Sequence, residues 1–489
     1  MASLAKKAPA AGTSDKLVGK GEFIWYLISV FFFTNMTGMI GSFRSANLVD
    51  VIKLTDSQMS LFNVMTSVIP FILNFFIVMY IDGRKIGKHG KFRPLVMIAA
   101  VPMGILLFLN FWIPKELSGA FLMVYVITVG VLWGIMNIFG NSINSIAVVM
   151  TPNLKERDTV MSFRSIVSAV GNSASLVIVL VLGLIWKDNK SMQYLVCAGL
   201  SGVIGTLTML GGMKISKERV EYANKKKNPL VGFRDIIKNK YAWTIIISEF
   251  LKNFRGIANF MGVFLAAALL GDSSKFLLFG LPTGIGTAVG MLIINFLLKK
   301  FNSKVLYIAS GCYSLIINSI AFGVGYTYFN QEKSGGPLQI VFILCLFLIG
   351  LQFGASNLLP NMFQADVLED IELKTGKRLD ASLAFVVSVF TTISSTIASY
   401  LGPKILYGDN SICGYIQGLA DGTMQSLKTK IWMLFFYTIF HGLMMFLAGV
   451  PYFFYKFTGK TKDDVHEALM KQRAANASKD VPAAEPAES

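Results

Sequence analysis

The apolar stretch Trp243-Thr-Ile-Ile-Ile-Ser-Glu-Phe-Leu-Lys-Asn-Phe-Arg-Gly256 contains one acid and two bases. On a helix Glu249 meets Lys252 and Asn253 at spacings of three and four, and Arg255 follows Lys252 by three, so the group shares neighbouring faces. Taking residue 241 as the inner end of a span, Lys252 and Arg255 lie about 17–21 Å along it, near mid-membrane. Charges there are costly unless paired or facing a water-filled cavity, and they mark substrate or ion paths. Glu249 and Lys252 can cancel each other, which leaves Arg255 in need of a partner. A second guanidinium, Arg164, stands in a span of the other half of the chain. Two such forks could clamp an anionic group from both halves, since guanidinium suits a carboxylate or phosphate. Arg164, Lys252 and Arg255 are therefore candidate substrate-binding residues. Glu249 is the candidate coupling group, because burial and a neighbouring cation pull a carboxyl's titration in opposite directions.

Neutral polar and aromatic residues complete a plausible cavity: Trp25, Tyr26 and Asn35; Asn137, Asn141 and Asn144; Gln352 and Asn357; Ser388 and Thr392. Sugar hydroxyls suit amide partners, with an aromatic plate for the ring. Interhelical packing is the alternative use of such residues. Tyr26, Asn137, Asn141, Asn357 and Thr392 are taken as candidate substrate contacts. The four cysteines lack metal or redox spacing and the three histidines are far apart, so no metal and no cofactor is expected. Without a catalytic dyad, metal cluster or phosphate loop, an enzyme is not expected.

The elements that must position these residues are read from composition. Of 489 residues, 54% are hydrophobic and 15% charged, against about 25% charged in a soluble chain. The apolar residues fall in long runs, which excludes a soluble enzyme, a disordered protein and a disulfide scaffold. A crossing helix needs about 20 apolar residues. Twelve such segments lie near 23–43, 58–81, 95–113, 120–150, 159–186, 192–213, 241–270, 276–298, 305–328, 338–362, 381–403 and 431–455, several interrupted by Gly or Pro. The ten-residue alternation of an outer-membrane barrel is missing. The expected fold is an all-α membrane protein of twelve transmembrane helices.

With the N-terminus placed inside, inner segments hold 32 of the 45 Lys and Arg and outer ones 10. That asymmetry puts both termini in the cytoplasm. The formal charge of +17 then answers to the anionic lipid bilayer and not to nucleic acid. The basic segment 214–240 divides the chain into two six-helix bundles, 23–213 and 241–457. The N-terminal tail is 1–22, and the polar, Ala-rich tail 458–489 is expected to be disordered. Secondary transporters are commonly built from such repeats, with the site near the midplane between them.

Charged loops flank the inner ends. Gly90-Lys-Phe-Arg-Pro94 after Asp82 and Arg84, Trp133-Gly134 followed by Glu156-Arg157-Asp158 and Arg164, and Asn361-Met-Phe-Gln-Ala-Asp366 followed by Glu372, Lys374-Thr-Gly376 and Arg378 stand in that order. Together they resemble the glycoside–pentoside–hexuronide cation symporters of the major facilitator superfamily, the family of melibiose permease. Gly21-Glu22-Phe23 resembles that family's Gly-Asp-Phe before helix one. The resemblance implies a major facilitator fold in a bacterial cytoplasmic membrane and cation-coupled transport of a sugar, glycoside or uronide by alternating access. It also implies a cytoplasmic gate of Asp82, Arg84, Arg93, Glu156, Arg157, Asp366, Glu372 and Arg378.

The pattern departs from the family where the family binds sodium. Its two helix-two aspartates fall at Pro70 and Asn74, its helix-four aspartate at Asn141, its helix-eleven lysine at Thr392, and its helix-one Asp or Asn near Tyr26. Loss of acids together with the lysine is electrostatically consistent and points to proton rather than sodium coupling. An acidic glycoside, such as a uronide, is the expected small-molecule substrate. The alternatives are a lipid, lysolipid or other organic-anion carrier of the same fold, or a sensor derived from it.

Overall fold

The computed structural model describes residues 17–83, 90–186, 189–219, 232–330, 336–375, 379–419, 424–458, 461, 462, 464, 465 and 467–469. Arg84 and Arg378 lie outside the described residues. Within them the regular structure is helical: α1 (Lys20–Ala46), α2 (Asp56–Gly83), α3 (Arg93–Phe111), α4 (Gly119–Gly140), α5 (Ser142–Val149), α6 (Leu154–Ile185), α7 (Lys190–Ile215), α8 (Phe233–Lys238), α9 (Lys240–Asn253), α10 (Gly256–Leu270), α11 (Leu277–Leu297), α12 (Ser303–Asn330), α13 (Pro337–Thr375), α14 (Asp380–Leu406), α15 (Leu427–Phe435) and α16 (His441–Gly449). Among the described residues these make twelve stretches long and apolar enough to cross a membrane, one for each expected span.

The prolines Pro70, Pro102, Pro282 and Pro360 interrupt nothing: α2, α3, α11 and α13 run through them. Two spans expected to be continuous are broken elsewhere, at Asn141 between α4 and α5 and at Phe254–Arg255 between α9 and α10. At both breaks the backbone tightens into i→i+3 hydrogen bonds, from Asn144 N to Asn141 O (3.0 Å), Arg255 N to Lys252 O (3.2 Å) and Ile257 N to Phe254 O (3.1 Å). A π-helical turn, Phe436–Phe440, separates α15 from α16.

Packing divides the chain into two units, Met1–Val51 with Ile69–Lys226, and Ile52–Val68 with Lys227–Ser489. In unit one, α1 packs on α6 and α7, and α3 on α7 and α4. Lipid supplies no hydrophobic force between helices, so close approach relies on small residues. A Cβ on Gly38 would lie 2.3 Å from the Asn172 carbonyl oxygen, and one on Gly171 2.4 Å from that of Phe31.

Residues 52–68 belong with unit two because their polar groups are satisfied there. Ser60 Oγ donates to the Tyr400 carbonyl (2.8 Å), Asn63 Nδ2 to that of Ser399 (2.9 Å), and Gln417 Nε2 to that of Leu54 (2.7 Å). An aromatic knot of Tyr307, Phe363, Tyr452 and Tyr455 fills one end of the unit, with Phe363 and Tyr452 ring centroids 4.4 Å apart. Along α13, a single helix of 39 residues, Gly350 and Gly354 interlock with Gly286 and Gly290 of α11. A Cβ on Gly286 would sit 2.1 Å from the Phe347 carbonyl oxygen, and one on Gly290 2.2 Å from that of Leu351. Gly290→Val should therefore lower the melting temperature of the purified protein by several degrees, at the about 1–3 kcal/mol typical of overpacking. The same change at Gly284, where a Cβ would meet nothing within 4 Å, should leave it near wild type. Equal shifts at the two positions would show that the α11–α13 contact is not the cause.

The tail expected to be disordered departs from that expectation in part. Residues 461, 462, 464, 465 and 467–469 are helical. Val465 packs on the core of unit two and Leu469 is buried, a four-residue spacing that gives this segment an apolar side.

Candidate functional site

In unit two the charges lie where α9 stops. Glu249 and Lys252 are 8% and 9% exposed and form an ion pair at 2.5 Å, the pairing that their spacing allows. Lys252 Nζ also reaches the Ser356 carbonyl of α13 at 3.5 Å, and Asn253 Nδ2 donates back to the Glu249 carbonyl at 2.7 Å, closing the helix end. Arg255, carried past the break, sets its guanidinium carbon 5.1 Å above the ring of Phe353 on α13. A ring face stabilises a cation without neutralising it. Among the described residues no carboxylate is within ion-pair distance of Arg255.

The same ring is met by His441, whose imidazole stands edge-on at 5.1 Å between centroids and 85° between planes. His441 is buried, and its Nε2 has no hydrogen-bond partner among the described residues. The same holds for both amide atoms of Gln352 and for Asn318 Oδ1. A Cβ on Gly442 would lie 2.9 Å from Asn318 Cβ, so α12 passes directly beside this turn. Sequence reading missed His441, since one histidine in an apolar run has no spacing partner. No described hydrogen bond or ion pair joins Asn357 or Thr392 to this cluster: Asn357 is exposed on α13 and Thr392 is half-buried on α14.

Unit one gathers most of its predicted contacts at the other break. Arg164 on α6 donates from Nη1 to Asn144 Oδ1 (3.0 Å), and Asn144 Nδ2 to Asn141 Oδ1 (3.4 Å). Asn137 lies one turn before the break, with a buried Oδ1 that has no described partner. Tyr26 is fully buried and donates its hydroxyl to the Ile143 carbonyl of α5 at 3.1 Å, so it holds the broken helix in place.

The expected gate residues make their described contacts inside their own units. Glu218, which sequence reading overlooked, accepts the backbone N–H groups of Lys91 (2.7 Å), Phe92 (2.9 Å) and Arg93 (2.7 Å), capping the start of α3. Gly90, at φ 86°, is required there, because a Cβ would fall within 2.4 Å of the Glu218 carboxylate. The Arg93 side chain reaches back to the Met213 and Lys214 carbonyls at the end of α7, where a cation suits the helix dipole. Glu22 takes two bonds from Arg219, at 2.9 and 2.7 Å.

Glu156 accepts from Thr151 Oγ1 (2.6 Å) and from the backbone of Val18 (3.0 Å) and Leu17 (3.3 Å). Burial works to raise its pKa, but these bonds and the nearby Arg219 outweigh it and hold the carboxyl below its ordinary range. The stabilisation is therefore present above the unfolded value and is lost as pH falls through the folded one. Arg157 follows on the same helical turn. In unit two Asp366 pairs with Lys462 of the tail at 2.7 Å, and Asp370 with Lys374 (2.7 Å) and Asn239 (2.7 Å). Glu372 is half-buried near the end of α13, and Asp82 lies in the last turn of α2.

Residues 23–459 match the family model described as MFS/sugar transport protein. The symporter YjmB of Bacillus subtilis (strain 168) is 24% identical over 402 residues, which cover 80% of this chain and 82% of that one. A protein of Escherichia coli (strain K12) named as a 2,3-dihydroxypropane-1-sulfonate exporter is 25% identical over 369 residues, 73% of this chain and 76% of its own. The crystal structure of a point mutant of the nucleoside transporter NupG has a TM-score of 0.62 over 88% of this chain and all of its own, at 14% identity, and shares the fold.

Proposed function

The chain belongs to the MFS/sugar transport protein family and is a multi-pass cell-membrane secondary transporter of the glycoside–pentoside–hexuronide type; from that premise we propose that its cargo bears an acid, as a uronide does, and travels with a proton. One observation carries the acidic cargo. Lys252 has Glu249, whereas Arg164 and Arg255 are held by an amide oxygen and an aromatic face, so among the described residues neither guanidinium is matched by a carboxylate. An anionic ligand supplies the missing charge, with bidentate geometry available at each. The relative named for a sulfonate supports an anionic cargo.

In this reading Arg255 provides the charge that draws the acid in unit two, with Lys252 balanced by Glu249, and Arg164 provides it in unit one. Asn137 and Asn141 of unit one and Asn357 and Thr392 of unit two are the candidate contacts for the uncharged part of the cargo, while Tyr26 braces α5. Protons are favoured over sodium because span two holds no acid between Ser60 and Ile81, and a hard cation needs oxygen ligands of that kind. Both termini are assigned to the cytoplasm, as the Lys and Arg asymmetry requires.

The test is thermal stabilisation of the detergent-purified protein by D-glucuronate, methyl glucoside and 2,3-dihydroxypropane-1-sulfonate, each with and without sodium. A ligand at 100 times its Kd adds about 2.7 kcal/mol to the folded state. The acids should raise the melting temperature with or without sodium, and methyl glucoside should not. Stabilisation by the glucoside that depends on sodium would overturn both parts of the proposal. Stabilisation by the sulfonate alone would move the cargo from uronides to small organic acids.

A further inference from the structure

The cluster in unit two contains a titratable group to which the transport reading gives no task. We propose that His441 is the proton-carrying residue of the cycle, taking its proton when an anionic group seats on Arg255. This rests on the acidic cargo argued above.

Position comes first. The π-helical turn Phe436–Phe440 adds a residue to its helix, which rotates everything after it by about 100°. His441 is the first residue beyond the turn, and its ring lies against Phe353, the ring whose face carries Arg255. Arg255 and His441 are thus two groups on one aromatic side chain, within electrostatic reach of each other. His441 Nε2 is buried without a described partner, so it is open to a ligand, a water or a proton. With hydrogen on Nδ1, Nε2 offers a lone pair; a hydronium ion that transfers its proton there leaves as water and makes an imidazolium with two donors, at the expense of no described hydrogen bond of Nε2.

The surroundings decide which group takes that proton. α9 supplies Glu249 and Lys252 as an ion pair, and the α9–α10 junction supplies Arg255. α12 supplies Tyr307, while Tyr437 and Tyr452 lie in the turns on either side of α16. α10 supplies nothing that titrates, and phenols remain neutral at physiological pH. Sequence alone puts the proton on Glu249. Protonating Glu249, however, would strand the Lys252 ammonium in a buried place without its partner. Protonating His441 strands no partner; its cost is placing a charge on a buried imidazole, together with the repulsion of Arg255, and a bound anion offsets both by cancelling the repulsion and giving the new charge a counter-ion.

The charges also balance. With no load, the cluster carries the single positive charge of Arg255, because Glu249 and Lys252 cancel. Anion and proton together return it to one positive charge. Loaded and empty transporter therefore hold equal charge in the membrane, where an unequal one would be costly. By reciprocity, the proton must raise anion affinity as much as the anion raises proton affinity.

The test measures affinity of the purified full-length protein for D-glucuronate and 2,3-dihydroxypropane-1-sulfonate between about pH 5.5 and about pH 8, where a histidine titrates and neither ligand does. Wild type should lose up to about tenfold in affinity per pH unit of rise, the slope of one linked proton. His441→Gln should bind both acids with no pH slope, and Glu249→Gln should keep the slope. A slope that survives in His441→Gln and vanishes in Glu249→Gln assigns the proton to Glu249 and overturns the proposal. Binding with no slope in wild type overturns it while leaving the acidic cargo intact. If neither acid binds at any pH, both fall together. Should His441→Gln fail to fold, the variant His89→Gln/His466→Gln leaves His441 as the single histidine. Its carbon-13 ring signal should move from neutral to protonated on adding either acid near pH 6.5, and an unmoved signal in the presence of bound acid sinks the idea.

Discussion

Replacing Arg255 by glutamine is expected to abolish uptake of D-glucuronate into proteoliposomes while the protein still folds and inserts. Arg255 pairs with no described carboxylate and rests on Phe353, so its removal strands no buried acid and its loss falls on the ligand. Truncating one partner of a buried charged contact costs about 2–5 kcal/mol, roughly 30-fold to several thousand-fold in affinity. Arg255→Lys should restore little, since an ammonium is a point charge that cannot offer two parallel donors to one carboxylate. Arg164→Gln should also weaken acid binding, because Arg164 is held by the neutral Asn144. Unchanged acid uptake in Arg255→Gln would sink the anionic cargo.

The second large effect belongs to the Glu249–Lys252 pair and is one of stability. Both side chains are only 11% exposed, so losing either partner leaves an uncompensated charge, at about 3–5 kcal/mol. Glu249→Gln and Lys252→Met should each lower the melting temperature markedly. The double variant should recover most of the loss, because a neutral pair of similar volume is often as stable as a buried ion pair. If the double variant melts at the sum of the two single losses, the residues are not coupled and the pair has no structural role.

Much of this molecule is legible in its sequence, because the bilayer leaves few solutions. Twelve apolar runs can only be twelve helices, and a spacing of three leaves Glu249 and Lys252 free to pair, as one of two uses open to them. The breaks were not legible. Prolines are the obvious breakers, yet Pro70, Pro102, Pro282 and Pro360 lie inside unbroken helices. The helices stop at Gly140-Asn141 and at Asn253-Phe254, pairs that look like ordinary packing residues. His441 was hidden for a related reason: an inserted residue upstream turns the helix, so no wheel drawn on a regular period puts the imidazole beside Phe353. Glu218 was missed because its three partners are backbone amides more than 120 residues away, and amides carry no sequence signal. The tail read as polar because its apolar side amounts to two residues, Val465 and Leu469.

The uninterrupted length of α13 has a mechanical meaning. At 1.5 Å per residue its 39 residues reach about 58 Å, nearly twice a hydrocarbon core of about 30 Å. The glycines that lock it to α11 lie near its middle, and Asp366 is twelve residues beyond Gly354, about 18 Å along the helix. A tilt of 10° about Gly354 sweeps that carboxylate through about 3 Å, as much as the whole Asp366–Lys462 ion pair spans. That end is anchored, because Phe363, Val367 and Ile371 are buried in the core of unit two, so any such tilt must carry the aromatic knot and the Asp366–Lys462 pair along with the helix.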